Sequence, residues 1–316
     1  MLDAEFIHDQ MTYFGELLEN FPGIIEWFFA FRDRRLNKTV AGIQFENPIG
    51  LSAGFDYDGH MAKVMKSVGF GFNTVGTVIY SAYDGNEKPR LVRLPKSKSL
   101  FVNKGFKSEG AKAVARRLDK KNLKNQVLRI SIGDREGNID NITKTFQVFK
   151  EKNYVKYFEL NISCPNIPGQ INFDKLVKAV GKLKITQPIF VKMPNEISFK
   201  DSDKLVTIAI KSGISGFIFS NLVKDRNNPA LDKTEITKFK DLKGNFSGKP
   251  TFKNSNKLIK HTRQKFGKKI VIIGTGGIFN ANDAKEKFKA GADLVQLITG
   301  MIYEGPQLIG EICREL

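Results

Sequence analysis

Cysteine is nearly missing. The 316 residues contain two, Cys164 and Cys313, too few for a disulfide framework, so a reducing compartment is expected. Also missing is any run near the ~20 apolar residues that a membrane span needs. The opening Met1-Leu2-Asp3-Ala4-Glu5 is acidic where a secretory signal would be basic, which argues for a cytoplasmic location. Acidic residues are scarce: 33 stand against 51 basic ones, a formal charge of +18. Such an excess can serve nucleic acid or an anionic membrane surface. The lysines are spread along the chain rather than clustered, which reads as a solvated surface, so no nucleic-acid partner is expected. No metal site is expected either.

Apolar residues make up 41% of the chain, enough for a large core, and the length suits a single barrel. Short apolar runs occupy 49–53, 72–78, 127–133, 157–163, 188–194, 216–221, 269–277 and 294–300. Most are nearly continuous, as strands buried on both faces should be. Amphipathic segments separate them, among them 175–183, 203–212, 257–266 and 282–290. Eight alternations of strand and helix predict an α/β fold, a (β/α)8 TIM barrel, over 46–316. A doubly wound open sheet is the alternative, and the count of eight argues against it. Two stretches break the rhythm: 90–95 with 99–106, which reads as a small hairpin, and the polar 222–253. Each follows a strand, so each belongs at the C-terminal mouth, where long loops cover active sites.

Residues 1–45 differ. Ile7, Met11, Phe14, Leu17, Leu18 and Phe21 recur at helical spacing, Pro22-Gly23 interrupts, and Trp27-Phe28-Phe29 precede Arg32, Arg34 and Arg35. This predicts an amphipathic helical hairpin. It reads equally as a cap on the bottom of the barrel or as a peripheral contact of residues 1–36 with the inner face of a membrane.

The sharpest motif is Asn161-Ile162-Ser163-Cys164-Pro165-Asn166-Ile167-Pro168-Gly169, which follows strand four. A lone cysteine is most often a small core residue, but this one lies among polar residues in a Pro/Gly loop. A thiol with a reference pKa of about 8.5 can abstract a proton if its neighbours help. Asn161 and Asn166 suit the polar edges of a flat heterocycle. Gly274-Thr275-Gly276-Gly277 after strand seven and Thr299-Gly300 after strand eight lie where barrels commonly hold phosphate. Lys192, inside Phe190-Val191-Lys192-Met193-Pro194, is costly to bury unless something anionic or electron-rich faces it, and a flavin ring would serve.

At these motifs the sequence resembles the dihydroorotate dehydrogenases, over essentially 47–316. The likeness rests on Asn47-Pro48-Ile49-Gly50-Leu51-Ser52-Ala53-Gly54-Phe55-Asp56, Gly69-Phe70-Gly71-Phe72, Val75-Gly76-Thr77-Val78, and Gly85-Asn86 with Lys88-Pro89-Arg90. It continues through the Cys164 loop, Val191-Lys192, Ser247-Gly248-Lys249-Pro250 and 272–278. The resemblance implies FMN at the barrel mouth and oxidation of dihydroorotate to orotate in pyrimidine synthesis. It implies FMN contacts from Ala53, Gly54, Thr77, Ser131, Asn161, Lys192, Ser220, Gly248, Gly276, Gly277, Thr299 and Gly300. It implies substrate contacts from Tyr57, Asn103, Asn161, Asn166 and Asn221, with Cys164 as the base. The N-terminal hairpin and the blocks before Pro89 resemble the membrane-associated, quinone-reducing class. That class normally has serine at the position of Cys164.

Other positions depart from the family. Tyr57 stands where a lysine meets the substrate carboxylate. Val102 stands where an asparagine is usual, with Asn103 adjacent. Leu222 replaces a threonine, and Ser131 an asparagine that faces the flavin. Lys104 or Lys107 would have to supply the missing charge. The altered positions keep a second reading open, an FMN oxidoreductase of the same fold acting on another dihydropyrimidine or an enone. A third is a tRNA dihydrouridine synthase. That family has glycine at the position of Ser163 and a C-terminal RNA-binding domain, whereas this sequence is expected to end about one helix after strand eight.

Overall fold

The computed structural model describes residues 3–162 and 172–316; Cys164 and Asn166 lie outside these described residues. Eight parallel strands form the barrel: β1 (Ile49–Leu51), β2 (Asn73–Val78), β3 (Leu128–Ile132), β4 (Val155–Asn161), β5 (Ile189–Met193), β6 (Gly216–Phe219), β7 (Val271–Thr275) and β8 (Leu294–Leu297). Around the sheet their order is β1-β8-β7-β6-β5-β4-β3-β2. The ring is completed between β1 and β2, where Leu51 N–H donates to Phe72 O at 3.0 Å and Gly71 N–H to Ile49 O at 2.9 Å. The expected TIM barrel is therefore present, with all eight strands inside the apolar runs or within two residues of them.

The connecting helices start on local signals. Asn138 caps Ile139–Phe149, Ser198 caps Phe199–Lys211 and Asn280 caps Ala281–Ala290, each side chain accepting from a first-turn N–H. The third of these, Ala281–Ala290, stops at Gly291, whose φ of +116° suits glycine.

Strand alternation sorts the side chains. Leu128, Ile130, Phe158, Leu160, Val191, Phe217 and Val295 point outward into the helical shell. The inward positions form three tiers. The lowest is apolar: Phe72, Tyr157, Phe190, Ile218, Ile273 and Leu294, sealed by Val40 and Phe45. Those two belong to an antiparallel hairpin, Lys38–Val40 with Ile43–Phe45. Gly50 has to be glycine here, since a Cβ would lie 2.0 Å from the Phe72 ring. The middle tier is polar and buried: Thr74, Arg129, Glu159, Lys192 and Gln296. The upper tier, with Ser52, Ser131, Asn161, Ser220 and Thr275, borders the mouth.

The two irregular stretches are one structure. Leu91–Leu94 pairs with Ser99–Val102, and Asn245–Phe246 adds to the same ribbon. Phe101, Phe239, Phe246, Leu94 and Leu231 form its core, with Phe101 and Phe239 stacked at 4.4 Å. Together they roof one side of the mouth.

At the N-terminus, α1 (Ala4–Leu18) and α2 (Pro22–Phe29) are both helical. They do not close the bottom of the barrel, because the 38–45 hairpin does. Helix α1 begins at the mouth, where Glu5 pairs with Arg90 and Lys104, and descends the outer wall past Met61 to a Glu19–Lys121 pair. Phe14, Phe21, Ile24, Phe28 and Trp27 face away from the barrel, Trp27 being 80% exposed. No helix among the described residues is long and apolar enough to cross a membrane.

Candidate active site

The mouth opens into a cavity ringed by the ends of β1, β2, β4, β5, β6, β7 and β8. One side is glycine backbone. Gly248, Gly276 and Gly277 have φ of +76°, +95° and +75°. A Cβ would approach Lys98 O to 2.2 Å at Gly248, Thr251 Oγ1 to 2.1 Å at Gly276, and Ile278 O to 1.9 Å at Gly300. Only glycine fits these positions. The backbone N–H groups of Gly248, Gly276, Gly277, Thr299 and Gly300 find no acceptor among the described residues. Converging unpaired amides of this kind suit a phosphate. The donor set therefore fits the phosphate end of a flavin nucleotide.

The cavity floor is polar. Lys192, Asn161, Thr77 and Ser220 line it. Asn161 Nδ2 donates to Thr77 Oγ1 at 2.9 Å, and Thr77 Oγ1 lies 3.0 Å from Ser131 Oγ. Asn195 Nδ2 donates to Ser220 Oγ at 2.5 Å. Lys192 Nζ lies 3.7 Å from the wholly buried Glu159 carboxylate. Burial alone would raise the Glu159 carboxyl, but Lys192 and Arg129 outweigh it and hold the group ionised.

The wall nearest α1 carries charge. Glu5 accepts from Arg90 and from Lys104, both at 2.7 Å. Burial pushes its carboxyl up, yet these two cations bring it down to about 2. Two cations share one carboxylate, which leaves a positive excess beside the cavity. Lys104 lies over the Tyr57 ring. Burial pushes the Tyr57 phenol up, so the hydroxyl stays protonated, and it has no hydrogen-bond partner among the described residues. His8 contacts Phe55 O through Nε2 at 2.6 Å; burial depresses its pKa and keeps the ring neutral.

Of the residues expected at the site, Ala53, Gly54, Tyr57, Thr77, Asn161, Lys192, Ser220, Asn221, Gly248, Gly276, Gly277, Thr299 and Gly300 line this one cavity. Ser131 lies just beneath its floor, bonded to Thr77 and Glu159. Asn103 adjoins this lining in sequence. Its Oδ1 accepts from Asn86 Nδ2 at 2.9 Å, while its neighbours Val102 and Lys104 line the cavity. Cys164 and Asn166 fall outside the described residues. Glu5, His8, Arg129 and Glu159 were not foreseen. A carboxylate and a guanidinium inside apolar strand runs were the available signal for the last two.

A second cavity of about 390 Å³ lies at the other end of the barrel, lined by Lys38, Lys66, Lys124, Lys156 and 70–73. None of the expected site residues reaches it.

The family model described as dihydroorotate dehydrogenase matches residues 35–316. A protein of Bartonella tribocorum named dihydroorotate dehydrogenase (quinone) is 36% identical over 299 residues, covering 90% of this chain and 81% of that protein. One of the same name from Christiangramia forsetii is 35% identical over 333 residues, covering 99% and 95%. Among solved structures, the dihydroorotate dehydrogenase of Eimeria tenella in complex with ferulenol superposes with a TM-score of 0.88 at 24% identity, covering 100% of this chain and 91% of that one.

Proposed function

The chain belongs to the dihydroorotate dehydrogenase family, and from that premise we propose that it binds FMN in the mouth, oxidises dihydroorotate to orotate and passes the electrons to a quinone. The observation that carries the reading is the meeting, in one cavity, of unpaired glycine amides, the Lys192–Asn161–Thr77 floor and the cationic wall at Lys104. The amides of Gly248, Gly276, Gly277, Thr299 and Gly300 hold the phosphate. Ala53, Gly54, Thr77, Lys192 and Ser220 hold the ring system. Bound FMN would supply a two-electron acceptor for the hydride that leaves one ring carbon of the substrate. Cys164 takes the proton from the neighbouring carbon, so the new C=C bond forms as both leave. Asn161, Asn166 and Asn221 orient the heterocycle. Tyr57 offers its hydroxyl, and Lys104 meets the carboxylate.

The cavity has an apolar side, lined by Leu91, Leu100, Val102, Leu222 and Ile302, that reaches His8 on α1. This supports a quinone entering past α1, with the exposed Phe14, Phe21, Trp27 and Phe28 resting on the inner face of a membrane beside Arg32, Arg34 and Arg35. Val102 and Leu222, apolar where the substrate is expected, favour one second reading: a less anionic dihydropyrimidine or enone as substrate. Anaerobic titration of FMN-loaded protein separates them. Bleaching of the flavin absorbance by dihydroorotate, and its recovery with a short-chain quinone, supports the main reading. Bleaching by neutral analogues alone supports the second.

A further inference from the structure

Beneath the cavity floor lies an ion cluster that substrate binding does not use. Glu159 accepts from Ser131 Oγ at 2.8 Å, faces Lys192 Nζ at 3.7 Å and pairs with Arg129 Nη2 at 3.1 Å. The Arg129 guanidinium donates to Thr74 Oγ1 at 3.0 and 2.6 Å and to Gln296 Oε1. From below it rests on the faces of Tyr157 and Phe72, at 5.2 and 5.7 Å. Arg129 and Glu159 are wholly buried, and Lys192 is 6% exposed. Arg129 Nη1 has no hydrogen-bond partner among the described residues.

Two cations and one carboxylate leave one unit of positive charge. Held out of water, such an excess is costly unless an anion joins it. Register explains the cluster's direction. Ser131 pairs with Glu159 across β3 and β4, and Asn161 with Lys192 across β4 and β5. The charge is thereby delivered to the floor on which the ring system of FMN is placed above. An oxidised flavin ring is neutral and a reduced one can carry negative charge, so a fixed cation favours the reduced form. A carboxylate behind that cation weakens the preference.

We propose that Glu159 and Arg129 are positioning residues that set how strongly the site prefers reduced over oxidised flavin, Glu159 by holding and partly neutralising Lys192, and Arg129 by holding Glu159. The inference rests on flavin binding as proposed above. It concerns residues that touch neither flavin nor substrate.

The test is a spectroelectrochemical titration of FMN-loaded protein, with FMN affinity measured separately. Glu159→Gln keeps the size and the Ser131 hydrogen bond but removes the charge. It should bind reduced over oxidised flavin about tenfold more strongly than wild type, a rise of about 30 mV in a two-electron midpoint potential. Its affinity for oxidised FMN should change less than threefold. Arg129→Gln should shift the preference the other way, and Arg129→Lys should restore it, a rescue that mere packing would not produce. Circular dichroism establishes that each variant is folded, and any one folded variant decides the sign. An unchanged preference in Glu159→Gln, or a shift of the same sign in Glu159→Gln and Arg129→Gln, overturns the proposal. A wild-type chain that takes up no FMN overturns both this inference and the function it rests on.

Discussion

Lys104 Nζ sits 5.3 Å from the centroid of the Tyr57 ring, anchored by Glu5 at 2.7 Å. The aromatic residue thus occupies the place where the resemblance implies a lysine, and a lysine from the roof hairpin lies across it. If the substrate is an anion, Lys104→Met should raise its Michaelis constant by the equivalent of about 1.5–3 kcal/mol, the value of a hydrogen bond to a charged group. Lys104→Arg should retain most of the affinity. Tyr57→Lys should leave dihydroorotate oxidation equal or better. Steady-state kinetics on dihydroorotate check all three, and a loss of turnover in Tyr57→Lys would favour a neutral substrate.

Cys164→Ala should abolish bleaching of the flavin by substrate while FMN stays bound. Cys164→Ser should keep a residual rate. In wild type the reductive half-reaction should accelerate as pH rises toward the thiol pKa, about 8.5 in the absence of perturbation. Stopped-flow absorbance across pH measures this. Undiminished bleaching in the alanine variant removes Cys164 from the mechanism.

Lys192→Ala should weaken FMN binding or slow its reduction. It also leaves Glu159 facing one cation instead of two, so the loss should be smaller in the double variant Lys192→Ala/Glu159→Gln than in Lys192→Ala alone. Fluorescence titration with FMN gives both constants. Equal losses would mean that the pair is not coupled.

Deleting the residues before Asn37 should reduce quinone-dependent turnover more than reduction of a soluble dye. Because Glu5 and His8 belong to the cavity region, a narrower probe is needed. Trp27→Ser with Phe28→Ser alters side chains that face away from the barrel. It should weaken sedimentation with anionic liposomes and leave dye reduction intact. Equal effects on both acceptors, with no liposome binding by wild type, would make α1 and α2 a purely structural segment.

Docking of α1 should depend on acid pH. Folding lowers the Glu5 carboxyl from 4.5 to about 2, so this contribution is complete above pH 4.5 and is lost as pH falls toward 2. Hydrogen exchange of the α1 amides should quicken over that range. In Glu5→Gln exchange should already be fast at neutral pH, because Arg90 and Lys104 are then left without their carboxylate. Slow exchange at neutral pH in that variant would show that apolar packing alone holds the helix.

Much of this was legible locally. Runs apolar on both faces, eight times repeated, specify parallel strands, and the count of eight favours a closed barrel over an open sheet. Glycines at 248, 276, 277 and 300 declare close backbone approach, because no other residue survives there. Lys192 in an apolar run announces a partner without naming it. That partner, Glu159, was decided by tertiary structure: only the register of β4 against its neighbours places it between Lys192 and Arg129. The same holds for Glu5 with Lys104, 99 positions apart, and for the two irregular stretches that merge into one roof. Periodicity and backbone conformation are written residue by residue, since each strand or turn obeys its own sterics. Charge compensation is a property of distances in space, and those exist only once the barrel has closed.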